Sequence, residues 1–255
     1  SGSNLDQAVD YINKHVKKDV MNIRVASKGA TRVVTSGDDA ILFEVNAETD
    51  FAAKNPHFIG LMDELSTIFI REKITHIKEA NAFVSDELSV TGLLERTSGL
   101  IKEHLTLRRF HRIKKQPSHG FGTYIHQHGK VSILVVMDRV DDALGKELAL
   151  VIASQSPTYI KRDLIDLDTE NYEKFLYEKD PNGAETFDAY LDSKLLYAQD
   201  AIHDRGLTMK HLLETHGVDV LDFYRFELGQ GIEDKLNCRL DIPCDGSKIT
   251  VMPSK

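Results

Sequence analysis

An α+β fold is predicted for this chain of 255 residues, on three observations. Residues 31–46 and 121–137 each read as an apolar hairpin, and each is followed by an amphipathic helix. The hairpin turns at Gly37 and Gly129 lie 92 residues apart, whereas the Arg109-Phe110 and Arg225-Phe226 pairs lie 116 apart, so the second half carries 24 more residues than the first. That excess falls within 163–205, where the composition is helical and Lys179-Asp180-Pro181-Asn182-Gly183 marks a turn. The expectation is two similar core halves, each a small antiparallel sheet with helices, and an antiparallel helical arm inserted in the second half.

Taken in order, the elements have local causes. Leu5, Ala8, Val9, Ile12 and Val16 recur at helical spacing behind a possible Asn4 cap, which predicts a helix over 4–18. Residues 31–36 alternate and are rich in valine; Gly37-Asp38-Asp39 turns, and 40–46 is apolar again. Asn55 can cap a helix with Pro56 in its first position, and Phe58, Leu61, Met62, Leu65, Ile68 and Phe69 form its apolar stripe. A further helix is expected over 89–103 and a strand over 105–113. In the second half, 121–126 and 130–137 form a hairpin around Gly129. Residues 141–155 are helical with Leu144, Leu148, Val151 and Ile152 on one face, and Pro157 ends that helix. Tyr172, Phe175, Leu176, Phe187, Tyr190, Leu191 and Leu195 supply the apolar seam of two helices joined by a tight turn, a projecting hairpin suited to interaction. Residues 220–228 read as a strand ending at Gly229-Gln230-Gly231, and 236–255 as a strand, a turn and a second strand.

Composition narrows the function. Hydrophobic residues make up 41% and charged residues 28%, with a formal net charge of −8, an ordinary globular balance that argues against nucleic acid. The basic run Arg108, Arg109, His111, Arg112, Lys114 and Lys115 alternates, so it is expected to be one solvated strand face. Cys238 and Cys244 have neither disulfide-framework nor zinc-knuckle spacing and fit a reducing compartment. No apolar stretch approaches about 18 residues, so no membrane helix is expected. Ser1-Gly2-Ser3 reads as an expression scar, with the native chain starting at or before Asn4.

Few residues carry candidate chemistry. His111, His119, His126 and His128 cluster in sequence, and His126 and His128 would share a strand face. No acid or cysteine accompanies them at ligand spacing, so surface or interface histidines are favoured over a metal site, and a metal-dependent hydrolase stays a remote alternative. Asp38-Asp39 and Asp141-Asp142 are read as turn and helix caps. Gly229-Gln230-Gly231 lacks the third glycine of a nucleotide loop. The run Glu44-Val45-Asn46-Ala47-Glu48-Thr49-Asp50-Phe51-Ala52-Ala53-Lys54-Asn55 holds no nucleophile–base pair, metal spacing or phosphate loop. A phenylalanine taken alone belongs in a core, and an aspartate beside it in a turn. At the tip of a turn, however, an aromatic beside an acid makes a wedge to press on another protein.

This run resembles the signature E-[VI]-N-x-E-T-D-F-V-x-K-N of the elongation factor Ts family. Leu107-Arg108-Arg109-Phe110 matches the L-R-R-F strand of that family, and Tyr124-Ile125-His126 with Gly129-Lys130-Val131 is similar to its Y-x-H…G-R-I-G-V hairpin. Leu196-Tyr197-Ala198-Gln199-Asp200 resembles its L-L-x-Q-P segment, and the run from Phe223 to Glu233 its F-x-R-F-E-V-G-E-G-I-E. The resemblance extends from about Leu5 to about Asp234. It implies a non-enzymatic translation factor that promotes GDP release from elongation factor Tu, binding no nucleotide and needing no cofactor or metal. It also implies that Asp50 and Phe51 press near the magnesium and phosphate sites of the partner, with Thr49, Lys54 and Asn55 beside them, and that His126 touches another partner domain. The implied divisions are 1–30 as the remnant of an N-terminal helical domain and linker, 31–117 as the first core half, 118–162 with 206–235 as the second, 163–205 as a coiled-coil arm, and 236–255 as a tail. Bacterial cytoplasm is the expected compartment, ahead of an organelle matrix. Ala47 and Ala52 depart from the signature, the first two helices of the family's N-terminal domain are not recognised, the arm is short, and the tail is strand-like where relatives carry a helix. An interaction protein with weak exchange is therefore the alternative within the family.

Overall fold

The near-continuous apolar run in the second strand of each hairpin places that strand between two apolar layers. The computed structural model describes residues 26–85, 89–203 and 206–232. Strands β1 (Lys28–Ser36), β2 (Asp39–Ala47) and β3 (Thr106–Lys114) form an antiparallel sheet in the order β1-β2-β3. Strands β4 (Gly120–His126), β5 (Val131–Met137) and β6 (Val220–Glu227) form a second, in the order β4-β5-β6. Seven α-helices lie among the described residues: α1 (Pro56–Arg71), α2 (Ile77–Ala82), α3 (Val90–Ile101), α4 (Asp142–Gln155), α5 (Leu167–Lys179), α6 (Phe187–Asp192) and α7 (Met209–His216). The architecture is α+β, and none of these helices is long and apolar enough to cross a membrane.

The middle strands are buried on both faces. Ile41, Phe43, Val45 and Ala47 of β2 pack with Phe58, Leu61, Leu65 and Phe69 of α1 and Leu93 of α3. Ala40 and Leu42, on the other face, meet Val33, Leu134 and Phe226, so the two sheets stack against each other. Ile133, Val135 and Met137 of β5 face away from that seam, toward Leu144, Leu148 and Ile152 of α4 and Leu213 of α7. Helices thus cover the outer face of each sheet. All six residues expected on the α1 stripe are buried, as are the four on α4.

The helix ends follow the local chemistry. Ser89 accepts from the Gly92 amide at 2.9 Å to start α3, and Asp141 accepts from the Leu144 amide at 2.9 Å to start α4. The six-residue α2 was not legible, because under two turns show no periodicity; the His76 ring nitrogen caps it by accepting from Glu79. Over 163–205, α5 has 13 residues and α6 only six. After α6, Leu196 and Ala201 are buried beside Leu144 and Ile152, and the Leu196 amide donates to the Tyr159 carbonyl at 2.8 Å. The expected helix over 4–18 and the strands over 236–255 lie outside the described residues.

The basic strand corrects its sequence reading. Arg108, Arg109 and Arg112 are not a solvated face, because partners on other elements hold them. Arg112 pairs with Asp39 at 3.0 Å and donates to the Phe69 carbonyl, and Lys115 pairs with Asp38 at 2.9 Å. Asp38 and Asp39 therefore anchor β3 rather than cap a turn, whereas Asp141 does cap. His111 is half-buried between the sheets, its ring 6.2 Å from Tyr224 and 5.6 Å from Phe226.

Burial first, and the Arg109 charge second, push the His111 pKa below its ordinary 6.5. The unfolded chain therefore takes up a proton that the fold refuses. Stability from this residue is complete above about pH 6.5 and declines as pH falls below it, by at most about 1.4 kcal/mol per pH unit. Urea midpoints measured from about pH 8 to pH 5 should fall, and His111→Phe should flatten that decline. An unchanged slope in the variant would refute the assignment.

Candidate functional site

The acidic–aromatic run leaves the end of β2 and is held from three sides. The Thr49 amide donates to Glu103 at 2.9 Å, and its hydroxyl donates to the same carboxylate at 2.5 Å. Ala52 is buried in the first core and opens a single turn of 3₁₀ helix, Ala52–Lys54. Asn55 then caps α1, its side-chain oxygen accepting from the His57 amide at 2.9 Å, with Pro56 at the first helical position. Between these anchors Asp50 and Phe51 project outward, and Phe51 is 82% exposed. A scattered exposed apolar residue needs no explanation. Phe51, however, sits between three anchored neighbours, Thr49 on a carboxylate, a buried Ala52 and the Asn55 helix cap.

Removing the cap tests this local frame. Asn55→Ala should cost about 1 kcal/mol of stability by urea denaturation. A change below about 0.3 kcal/mol would mean that Pro56 alone sets the helix start.

His126 ends β4 and is half-buried, its Nδ1 3.1 Å from the Tyr124 hydroxyl. Asp50 and His126 line one polar cleft of about 330 Å³ with Lys28, Lys130 and Glu227. Lys54 lines a neighbouring apolar groove of about 420 Å³ with Ala53, Phe58, Ile59, Ile125 and His128. Residues that the sequence separates by more than seventy positions thus share one face. His126 and His128 do not share a strand face: Gln127 and His128 adopt positive φ in the turn, which swings His128 into the groove. Among the described residues no group of three or more His, Cys, Asp and Glu is placed to hold a metal ion.

Two supporting residues escaped the sequence reading. Glu103 fixes Thr49 from 54 positions away. Glu44 is fully buried on the sheet–sheet face of β2, where Arg108 at 3.0 Å, Arg109 Nε at 2.6 Å, Asn46 at 2.9 Å and the Gly229 amide at 3.0 Å all donate to its carboxylate. Neither role has a local signal, since an acid in a strand or in a loop looks the same in sequence whether solvated or buried.

Fold and site together define an α+β protein that carries an exposed acidic–aromatic turn beside the end of its first sheet. Residues 48–230 match the family model described as Elongation factor TS. Over 231 residues the chain is 31% identical to elongation factor Ts of Acholeplasma laidlawii (strain PG-8A), covering 84% of this chain and 78% of that one. It is 28% identical to elongation factor Ts of Oenococcus oeni (strain ATCC BAA-331 / PSU-1) over 91% of this chain and 85% of that one. Against the same factor of Aster yellows witches'-broom phytoplasma (strain AYWB) it is 28% identical, covering 89% and 88%. The chain belongs to the elongation factor Ts family.

Proposed function

We propose that this chain is a guanine-nucleotide exchange factor for elongation factor Tu, and that it drives GDP release with the Asp50-Phe51 turn. The observation that carries the reading is the outward clamping of Phe51 beside an exposed acid, in a chain of this family. Exchange needs binding that favours the nucleotide-free partner over its GDP form; by linkage GDP then weakens the factor's grip equally. Phe51 supplies that difference by entering an apolar pocket of the partner, and Asp50 by disturbing the magnesium ion or its water ligands. Thr49, Lys54 and Asn55 hold and flank the wedge, and His126 meets a second partner domain from across the shared cleft.

On this reading the chain transforms no substrate and binds neither nucleotide nor nucleic acid itself. The two sheets with their covering helices act as two similar core halves, 31–117 and 118–162 with 206–235, and 163–205 is a short coiled-coil arm against the partner. The work is done in bacterial cytoplasm. The test is release of fluorescent GDP from elongation factor Tu. Substoichiometric chain should accelerate release over many turnovers, and no acceleration at saturating chain would sink the proposal.

A further inference from the structure

Phe51 follows a strand of the first sheet and His126 ends a strand of the second, and a wedge can deform its target only if something bears the reaction force. The covalent path between them is long, yet a short chain of hydrogen bonds crosses the sheet–sheet face. It begins at Glu44 of β2, five residues before Thr49, which lies just beyond the end of that strand. The Glu44 carboxylate accepts from Arg108 and Arg109 of β3 and from the Gly229 amide beyond β6. Arg108 also donates to the Gln230 carbonyl, and Arg109 to the Glu227 carbonyl at 2.6 Å. The Leu228 amide donates to the Lys130 carbonyl at 2.8 Å, and the Lys130 amide to the His126 carbonyl at 3.0 Å. A second tie runs beside the first: the Thr31 amide donates to the Gly129 carbonyl at 2.7 Å and the Thr31 hydroxyl to Ser132 at 2.9 Å.

The backbone is shaped to allow these approaches. Gly129 has φ +97°, and a Cβ there would stand 2.6 Å from the Thr31 carbonyl. Gly229 has φ +76°, and a Cβ there would stand 2.8 Å from the Ser27 carbonyl. The rest of the seam is apolar, with Leu42, Val33, Leu134 and Phe226. Apolar packing is non-directional, and a carboxylate with four donors is directional. The polar cluster lies at the end of the seam that carries the wedge and the cleft.

We propose that Glu44, held by Arg108 and Arg109, is a positioning residue that braces the Asp50-Phe51 turn against His126, so that both contacts load the partner as one rigid body. The inference rests on the exchange reading above. A brace acts on the step in which the partner is deformed, not on first contact. Loss of the brace should therefore lower the GDP release rate at saturating factor more than it raises the half-saturating concentration.

Two variants separate this from simple unfolding. Glu44→Gln keeps the shape and removes the charge, leaving two guanidinium groups without it. Arg108→Lys is milder: Glu44 keeps Arg109, while a lysine cannot span Glu44 and Gln230 together. For Arg108→Lys with unchanged circular dichroism, the saturated release rate should fall about fivefold, and half-saturation should move less than about twofold. Arg108→Lys added to Phe51→Ala should cost less than about twofold more than Phe51→Ala alone, because a brace has nothing to support once the wedge is gone. A wild-type saturated rate in folded Arg108→Lys and Glu44→Gln, or fully multiplicative effects with Phe51→Ala, would overturn the brace. If Phe51→Ala alone slows release while both brace variants do not, the brace fails and the wedge survives. If Phe51→Ala alone is without effect, the wedge reading fails and the brace with it.

Discussion

Replacing Phe51 with alanine is expected to slow GDP release from elongation factor Tu by about ten- to a hundredfold, with no measurable loss of the chain's own stability. Burying a phenylalanine side chain supplies about 1.5–3 kcal/mol, and each tenfold change in rate needs about 1.4 kcal/mol of differential binding. The side chain is 82% exposed in the free chain, so alanine removes almost no packing from the fold. Stopped-flow release of fluorescent GDP at saturating factor, beside a urea melt, measures both quantities. Release as fast as wild type would remove the wedge, and a large drop in the urea midpoint would mean that Phe51 is structural.

The largest stability effect is expected at Phe69. It is fully buried in α1 and meets Phe43 edge-on at 5.2 Å and Phe110 at 4.9 Å, so it joins the helix to both the middle strand and β3. Phe69→Ala leaves a cavity and breaks both aromatic pairs, a loss of about 3–5 kcal/mol. The carbonyl of Phe69 also accepts from Arg112, which ties the helix to β3 at the same level. Urea denaturation followed by circular dichroism gives the number, and a loss under about 1 kcal/mol would mean that the neighbouring rings collapse into the gap. The helix that Phe69 anchors starts at Pro56, after the 3₁₀ turn and the Asn55 cap that follow Phe51. A variant that remains folded should therefore exchange nucleotide more slowly than its folded fraction alone predicts.

Much of the site was readable because its causes are local. Asn55-Pro56 announces a helix start wherever it precedes an apolar stripe, and the stripe of α1 is buried at each expected position. The turn at Thr49 to Phe51 follows from the end of the apolar run over 40–46. The arginines of β3 were misread for the complementary reason. Alternation identifies two faces of a strand, but whether the charged face meets water or a second sheet depends on a chain segment more than a hundred residues away. His128 was misplaced because a strand face was extended through a turn whose positive φ values no periodicity reveals.

The sequence by itself missed the helices over 77–82 and 209–216 but determined the six strands, the helices that open at Pro56, Val90 and Asp142, the Asn55 and Asp141 caps, the hairpin turns and the family to which the chain belongs. Each of these depends on residues within a few positions of one another, or on motifs in a fixed order. Only the tertiary structure decided that Phe51 is held outward, that Glu44 is buried under two arginines, and that Asp50 and His126 share a cleft. Those outcomes rest on contacts spanning 54 positions at Thr49–Glu103 and 185 at Glu44–Gly229. A side chain's exposure is a property of whatever packs over it, and that is settled when the two sheets close on each other.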